Sequence, residues 1–167
     1  FQYQPANLTA GPQEFTFRAT SGTGDTLDSM VSFTYSTGPT PVISPATPVT
    51  EGSTVLFDSA LSTIAGAAIY QRTWLMPNGA TVSGTTAEYP FAESGIYPVR
   101  LTLVDIAGAT RSVDVPITVT NMAPTITVDT STVAVNEGQQ ATNTGTWSDI
   151  GQDVVTLTSS LGMIAKD

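Results

Sequence analysis

Carboxylates are the main acid–base groups this chain offers. It holds 14 Asp and Glu, no His and no Cys. Glu88 and Glu93 bracket a short stretch containing Tyr89, Pro90 and Phe91. Asp149 and Asp153 bracket Ile150, Gly151 and Gln152. Two carboxyls about 5 to 9 Å apart across a sugar can hydrolyse a glycosidic bond. These acids fall in turn-like stretches, so the expected reading is solvated turn acids. Without His or Cys there is no Ser-His-Asp triad and no thiol nucleophile. The usual Cys/His zinc, haem and iron–sulfur sites are excluded too. The expectation is no enzyme, no cofactor, and no catalytic, cofactor-binding or metal residue.

Calcium is the cation that Asp-rich loops would suit. The stretch Thr120 to Pro124 offers only Asn121 and no acid, and no D-x-D-x-D-G run occurs. Asp105 and Glu137 are the acids that could reach an ion there, but no metal is assigned. Aromatic side chains could stack on sugar. Trp74 is expected in the core, and Tyr97 and Tyr89 flank a turn at Gly95. Trp147 lies near a turn in Thr144-Gly145-Thr146-Trp147-Ser148-Asp149 and is read as core unless a second aromatic shares its plane. Asn7-Leu8-Thr9 is an N-x-T triplet, a pattern common by chance.

Five Lys and Arg against 14 acids give a net charge of −9. That balance cannot neutralise a run of phosphates, which excludes nucleic acid as a partner. An anionic lipid surface is a poor partner for the same reason. No apolar run approaches the roughly 18 residues of a membrane-spanning helix. The opening Phe1-Gln2-Tyr3-Gln4 has neither an initiator Met nor a basic leader, so the chain reads as a mature or excised piece.

The elements that must position these residues are strands. Thr is about one residue in six, far above ordinary usage. Period-two alternation runs through Phe15–Ala19, Val31–Tyr35, Val99–Leu103, Val113–Val119 and Ile126–Val128. Turn signals separate them, among them Ser21-Gly22-Thr23-Gly24-Asp25, Pro77-Asn78-Gly79, Ala107-Gly108 and Asn136-Glu137-Gly138. Ser59 to Ala68 is Ala-rich but interrupted by Gly, and is read as a loop or one brief turn. The expected class is all-β.

The chain also repeats itself. Gly11, Phe15, Phe17, Ala19, Gly24, Thr26, Val31, Phe33 and Tyr35 meet Gly95, Val99, Leu101, Leu103, Gly108, Thr110, Val115, Ile117 and Val119 at a constant shift of 84. Tyr3 meets Tyr89 at 86, Pro41 meets Pro124 at 83, and Glu51-Gly52 meets Glu137-Gly138 at 86. Apolar parity alone would align any two strands, but the Gly, Thr and Pro matches need more than parity. The expected parse is a C-terminal part-module over 1–38, a complete module over 39–121 and an N-terminal part-module over 122–167.

Two motifs carry a family resemblance. One is Tyr70-Gln71-Arg72-Thr73-Trp74-Leu75-Met76-Pro77-Asn78-Gly79. The other is Tyr89, then Gly95-Ile96-Tyr97-Pro98-Val99-Arg100-Leu101-Thr102-Leu103-Val104-Asp105. The middle module resembles PKD and related bacterial immunoglobulin-like domains. The tryptophan strand departs from the family pattern by lacking its Asp and second Gly. The first segment, with Tyr3, Pro5, Gly11 and Phe15-Thr16-Phe17, is also similar to the closing half of bacterial cadherin-like repeats. The resemblance implies tandem antiparallel immunoglobulin-like sandwiches, a fold without a sugar cleft. Proline-bearing junctions at Ser36–Pro41 and Thr120–Thr125 would make a semi-rigid rod.

The part-modules leave two readings open. Either the chain is a piece of a longer array, or its pieces find complementary strands in a neighbour. The role implied is structural: a stalk, adhesin, surface-layer or filament segment, extracellular or at the cell surface. Its partners would be neighbouring modules or subunits. The alternative is an accessory carbohydrate- or protein-binding module of a secreted hydrolase, with glycan as the other candidate partner.

Overall fold

A computed structural model describes residues 2, 6–44 and 48–165. The expected Tyr3 and Pro5 matches lie outside the described residues. Every regular element among the described residues is a strand, so the chain is all-β.

The chain opens with a hairpin of β1 (Gly11–Thr20) and β2 (Thr26–Tyr35), with Gly11 opposite Tyr35 and Thr20 opposite Thr26. Its reversal is built locally. The Ser21 amide donates to the Asp25 carbonyl at 2.8 Å, and the Thr23 hydroxyl donates to the Asp25 carboxylate at 2.7 Å. Gly24 takes a φ of 93°, a left-handed conformation that suits glycine. Alternation divides the hairpin into two faces. One carries Phe15, Phe17 and Phe33, with Phe15 edge-on to Phe17 at 5.0 Å and to Phe33 at 5.7 Å. The other is polar and carries the two-pronged pair of Arg18 with Asp28, at 2.7 and 2.8 Å.

The middle of the chain is a sandwich of β3 (Pro39–Thr40), β4 (Val49–Thr50), β5 (Ser53–Asp58), β6 (Thr63–Ile64), β7 (Ile69–Leu75), β8 (Thr81–Ser83), β9 (Thr86–Phe91), β10 (Gly95–Asp105) and β11 (Thr110–Thr120). One sheet has the order β4-β11-β10-β7-β8, while β5 pairs with β9 and β3 with β6. The Ser59–Ala68 stretch holds the short β6 and a turn closed by the Ser62 amide on the Ser59 carbonyl at 2.9 Å. Pro77-Asn78-Gly79 makes the β7–β8 reversal, with Gly79 at a φ of 81° and the Asn78 side chain accepting from the Ala80 amide at 3.0 Å. The alternating inward residues form the core: Phe57, Trp74, Phe91, Val99, Leu101, Leu103, Ile117 and Val119 are all buried. Trp74 is the largest of them. Its indole N–H donates to the Gly84 carbonyl at 3.0 Å, which satisfies the one polar atom of the side chain.

After the sandwich come β12 (Thr125–Val128) and β13 (Gly145–Ser148), antiparallel with Ile126 opposite Trp147. Ile126, Val128 and Trp147 share one face. On the other, the Thr125 and Ser148 hydroxyls meet at 2.8 Å, as do those of Thr127 and Thr146.

Two compact units divide the residues. One comprises Phe1–Thr47, Leu56–Tyr89 and Tyr97–Ile117, and the other Pro48–Val55, Pro90–Ile96 and Thr118–Asp167. The chain has two long hairpins, β1–β2 and β10–β11, which start at Gly11 and Gly95 and return at Thr26 and Thr110, the shift of 84 seen in the sequence. Shifting Arg18 and Asp28 by that amount lands on Thr102 and Ser112, whose hydroxyls also meet, at 2.8 Å.

Candidate functional site

In the first unit the acid that matters is Asp105, at the end of β10. It is buried, and its carboxylate is fully engaged. One oxygen accepts from the Ala107 and Ala109 amides, each at 2.8 Å. The other accepts from the Ser36 hydroxyl at 2.5 Å. The Ser36 hydroxyl, together with the Ala109, Ala107 and Gly108 amides, holds the carboxyl below its ordinary range against the opposing effect of burial. Asp105 therefore ties the β10–β11 turn to the segment entering the sandwich. Its lone pairs face hydrogen-bond donors of the fold.

In the second unit the structure groups acids that the sequence spacing did not pair. Glu51 follows β4 and is 1% exposed. One of its carboxylate oxygens accepts from the Met122 amide at 2.8 Å, and the other is buried with no hydrogen-bond partner. The Glu51 amide donates to the Thr120 carbonyl at 3.0 Å. Glu93, in the turn after β9, accepts from the Gln152 amide at 3.1 Å. Asp149 accepts from the Ile150 amide at 3.1 Å. Lost hydration, then the charges of Glu51, Asp149 and Glu93, raise the carboxyl of Asp153 above its ordinary range. The group is thus an anionic patch in which one proton is held more tightly than usual. Among the described residues no three His, Cys, Asp or Glu side chains converge as a metal site.

The remaining candidates are dispersed. Glu88 is exposed on β9, and Glu137 and Asn121 are exposed in loops. Trp74 is in the core, as its strand pattern implies, while Tyr89, Tyr97 and Trp147 are half-buried. Asn7 is exposed on a bend with a φ of 57°, and the Gln13 side chain donates to the Thr9 carbonyl at 2.9 Å. Sequence reading passed over Glu51 as a site, although the Glu51-Gly52 pair had already stood out by recurring at Glu137-Gly138.

A sequence model of the PKD domain matches residues 36–120, just over half of the chain. The chain belongs to the PKD domain family. The matched span takes in all nine strands of the sandwich, from β3 to β11. Among solved structures, the PKD1 domain of Vibrio anguillarum Epp is similar at 22% identity and a TM-score of 0.45, over 51% of this chain and 96% of that one. A carbohydrate-binding module of the β-sandwich superfamily is similar at 21% identity and a TM-score of 0.44, over 66% of this chain and 53% of that one. No curated protein sequence matches the chain. In this PKD domain the departure at the tryptophan strand is local. Trp74 still fills the core, and the β7–β8 turn closes through Asn78 and Gly79.

Proposed function

We propose that the chain is a non-catalytic structural segment of an extracellular or cell-surface protein, with PKD-type modules in tandem. The proposed parse is a C-terminal part-module over 1–38, a complete module over 39–121 and an N-terminal part-module over 122–167. The observation that carries it is the recurrence of one hairpin. β1–β2 and β10–β11 share start points, return points and the position of a solvent-facing polar pair at a shift of 84. Spacing and contact between proteins are the work that such modules do, in a stalk, adhesin, surface layer or filament. The buried Asp105 favours this reading, because its carboxylate is spent on the Ala107 and Ala109 amides and the Ser36 hydroxyl.

Glycan is the competing partner. Tyr70 is an exposed aromatic beside Asp105, Ile106 and Gly108, where a sugar could stack. A glycan-array screen tests the choice. The scaffold reading expects no saturable binding. Binding that Tyr70→Ala abolishes would replace it with an accessory carbohydrate-binding module.

A further inference from the structure

Glu51 holds a carboxylate oxygen that no donor of the fold satisfies. The side chain is 1% exposed. One oxygen takes the Met122 amide at 2.8 Å, and the other is buried without a hydrogen-bond partner. A charged oxygen left unpaired in an interior is costly, and the usual remedy is a cation. Asp105 is the contrast, since both of its oxygens face donors. No cationic side chain serves Glu51. Among the described residues the ion pairs, Arg18 with Asp28 and Arg100 with Asp114, belong to the first unit, and the second unit has no Lys or Arg.

Three further acids of the second unit gather around this oxygen. The Gly52 amide donates to the Phe91 carbonyl at 2.7 Å, which sets Glu51 beside the turn that carries Glu93. The loop from Asp149 to Asp153 closes on the same place. The Gln152 amide donates to Glu93 at 3.1 Å, and a methyl added at Gly52 would lie 2.7 Å from Ile150. A methyl at Gly151 would lie 3.0 Å from the Glu93 Oε2 and 3.2 Å from the Ala92 carbonyl oxygen. The Asp153 carboxyl feels the charge of Glu51 ahead of that of Asp149, its neighbour in the same loop.

We propose that Glu51, Glu93, Asp149 and Asp153 form a calcium site, with the buried Glu51 oxygen as its fixed ligand. Every donor is an oxygen and the chain has no His or Cys, which suits a hard cation and not zinc or copper. Calcium takes about 6 to 8 oxygens in an irregular shell that mixes carboxylates, carbonyls and water, whereas magnesium demands a near-ideal octahedron. Among the described residues no three of these carboxylates converge as the side chains stand. Glu51 is held by burial, while Glu93 and Asp149 are half-buried and Asp153 is exposed, so these three have room to turn in. The Ala92 carbonyl, facing Gly151 beside Glu93, adds a backbone oxygen. The bound cation neutralises the patch and ties the Asp149–Asp153 loop to the residue that follows β4. All of these residues lie within one compact unit, and the site is independent of the tandem parse.

Calcium chloride titrated calorimetrically into the full chain, stripped beforehand with EDTA, tests the site. One saturable site is expected, with a Kd of about 0.1 to 1 mM, the range of extracellular modules. Calcium at about 10 mM should raise the thermal midpoint by several degrees over EDTA, because it binds the folded chain alone. Magnesium at the same concentration should not reproduce the rise. Glu51→Gln keeps an acceptor for the Met122 amide and is expected to lose the calcium-dependent rise. Asp153→Asn, an exposed position that should melt no lower than wild type in EDTA, is expected to weaken binding about tenfold or more. Glu137→Gln, on an exposed loop acid outside the cluster, should bind as wild type does. Should Glu51→Gln fail to fold, Asp153→Asn decides the matter. The absence of saturable binding overturns the inference, as does a rise matched by magnesium. Wild-type affinity in Asp153→Asn, or loss of binding in Glu137→Gln, overturns it too. None of these outcomes affects the scaffold reading, which stands or falls on the glycan screen.

Discussion

Trp74 offers the sharpest test of how the sandwich is held together. The side chain is wholly buried, it packs against Phe57 with ring centroids 6.1 Å apart, and its N–H is bonded to the Gly84 carbonyl. Trp74→Ala removes a large core volume, a change that costs about 3 to 5 kcal/mol. It also strands the Gly84 carbonyl, which adds about 1 kcal/mol or more. A module of about 80 residues is stable by about 4 to 12 kcal/mol in total. The variant should therefore lose about a third or more of that stability. Trp74→Phe separates the two effects. It keeps an aromatic ring but loses the donor, so it should cost about 1 to 2 kcal/mol. For a domain of this size that lowers the thermal midpoint by about 5 to 15 °C. Far-UV circular dichroism during urea and heat unfolding measures both. With Trp74 replaced, Trp147 is the one tryptophan left, and its emission reports on β13 alone. A Trp74→Ala chain that unfolds within about 1 kcal/mol of wild type would refute the claim that the indole anchors this core.

Other substitutions read out the acids and the tight turns. Asp105 is held below its ordinary value of 3.8, so its contribution is complete above that value and is lost as pH falls through the lower folded value. Asp105→Asn should lower the thermal midpoint at neutral pH and flatten its fall in acid. Asp153 has the opposite sign. Its carboxyl is raised above 3.8, so the ionised form costs stability at neutral pH, and the cost disappears as pH falls through the raised value towards 3.8. Asp153→Asn should raise the midpoint at neutral pH, with the gain shrinking on acidification. Glu51→Ala removes the acceptor of the Met122 amide and should cost about 2 kcal/mol in chemical denaturation. Gly66→Ala places a methyl 2.2 Å from the Gly11 amide nitrogen at a φ of 78°, so backbone must shift and the melting midpoint should fall by several degrees.

The strands and the core were legible because period-two alternation is a local signal. Val99, Leu101 and Leu103 read as one face of a strand, and that face is buried. The hairpin turns were legible for the same reason, since Gly24 and Gly79 supply the positive φ that their positions need. The acids were not. Asp105 owes its burial partly to Ser36, a residue 69 positions away, and no spacing rule reaches that far. Glu51 looks like a turn residue beside Gly52, yet its carboxylate is buried because the Met122 amide, 71 positions on, supplies a donor. Sequence pairing put Glu88 with Glu93, whereas the fold leaves Glu88 exposed and brings Glu51 and Glu93 into the field of Asp153. Proximity in sequence predicts turns well and electrostatic neighbours poorly.

The short β4 has a consequence for load-bearing. β4 is the second strand of the sandwich, after the two-residue β3, and β11 is the last; β4 and β11 run parallel, with Val49 beside Val119 and Thr50 beside Thr120. Tension that has freed β3 pulls these two parallel neighbours in opposite directions along their own axes. Their hydrogen bonds then bear the force together, in shear, whereas a hairpin pulled from its open end gives way one bond at a time. Around that pair the Glu51 amide holds the Thr120 carbonyl at 3.0 Å, the Thr120 hydroxyl holds the Val49 carbonyl at 3.1 Å, and Glu51 grips the Met122 amide at 2.8 Å. Three further hydrogen bonds thus brace the two-residue ladder at the point where the chain leaves the domain, and resistance to extension is concentrated there instead of spread through the long hairpins.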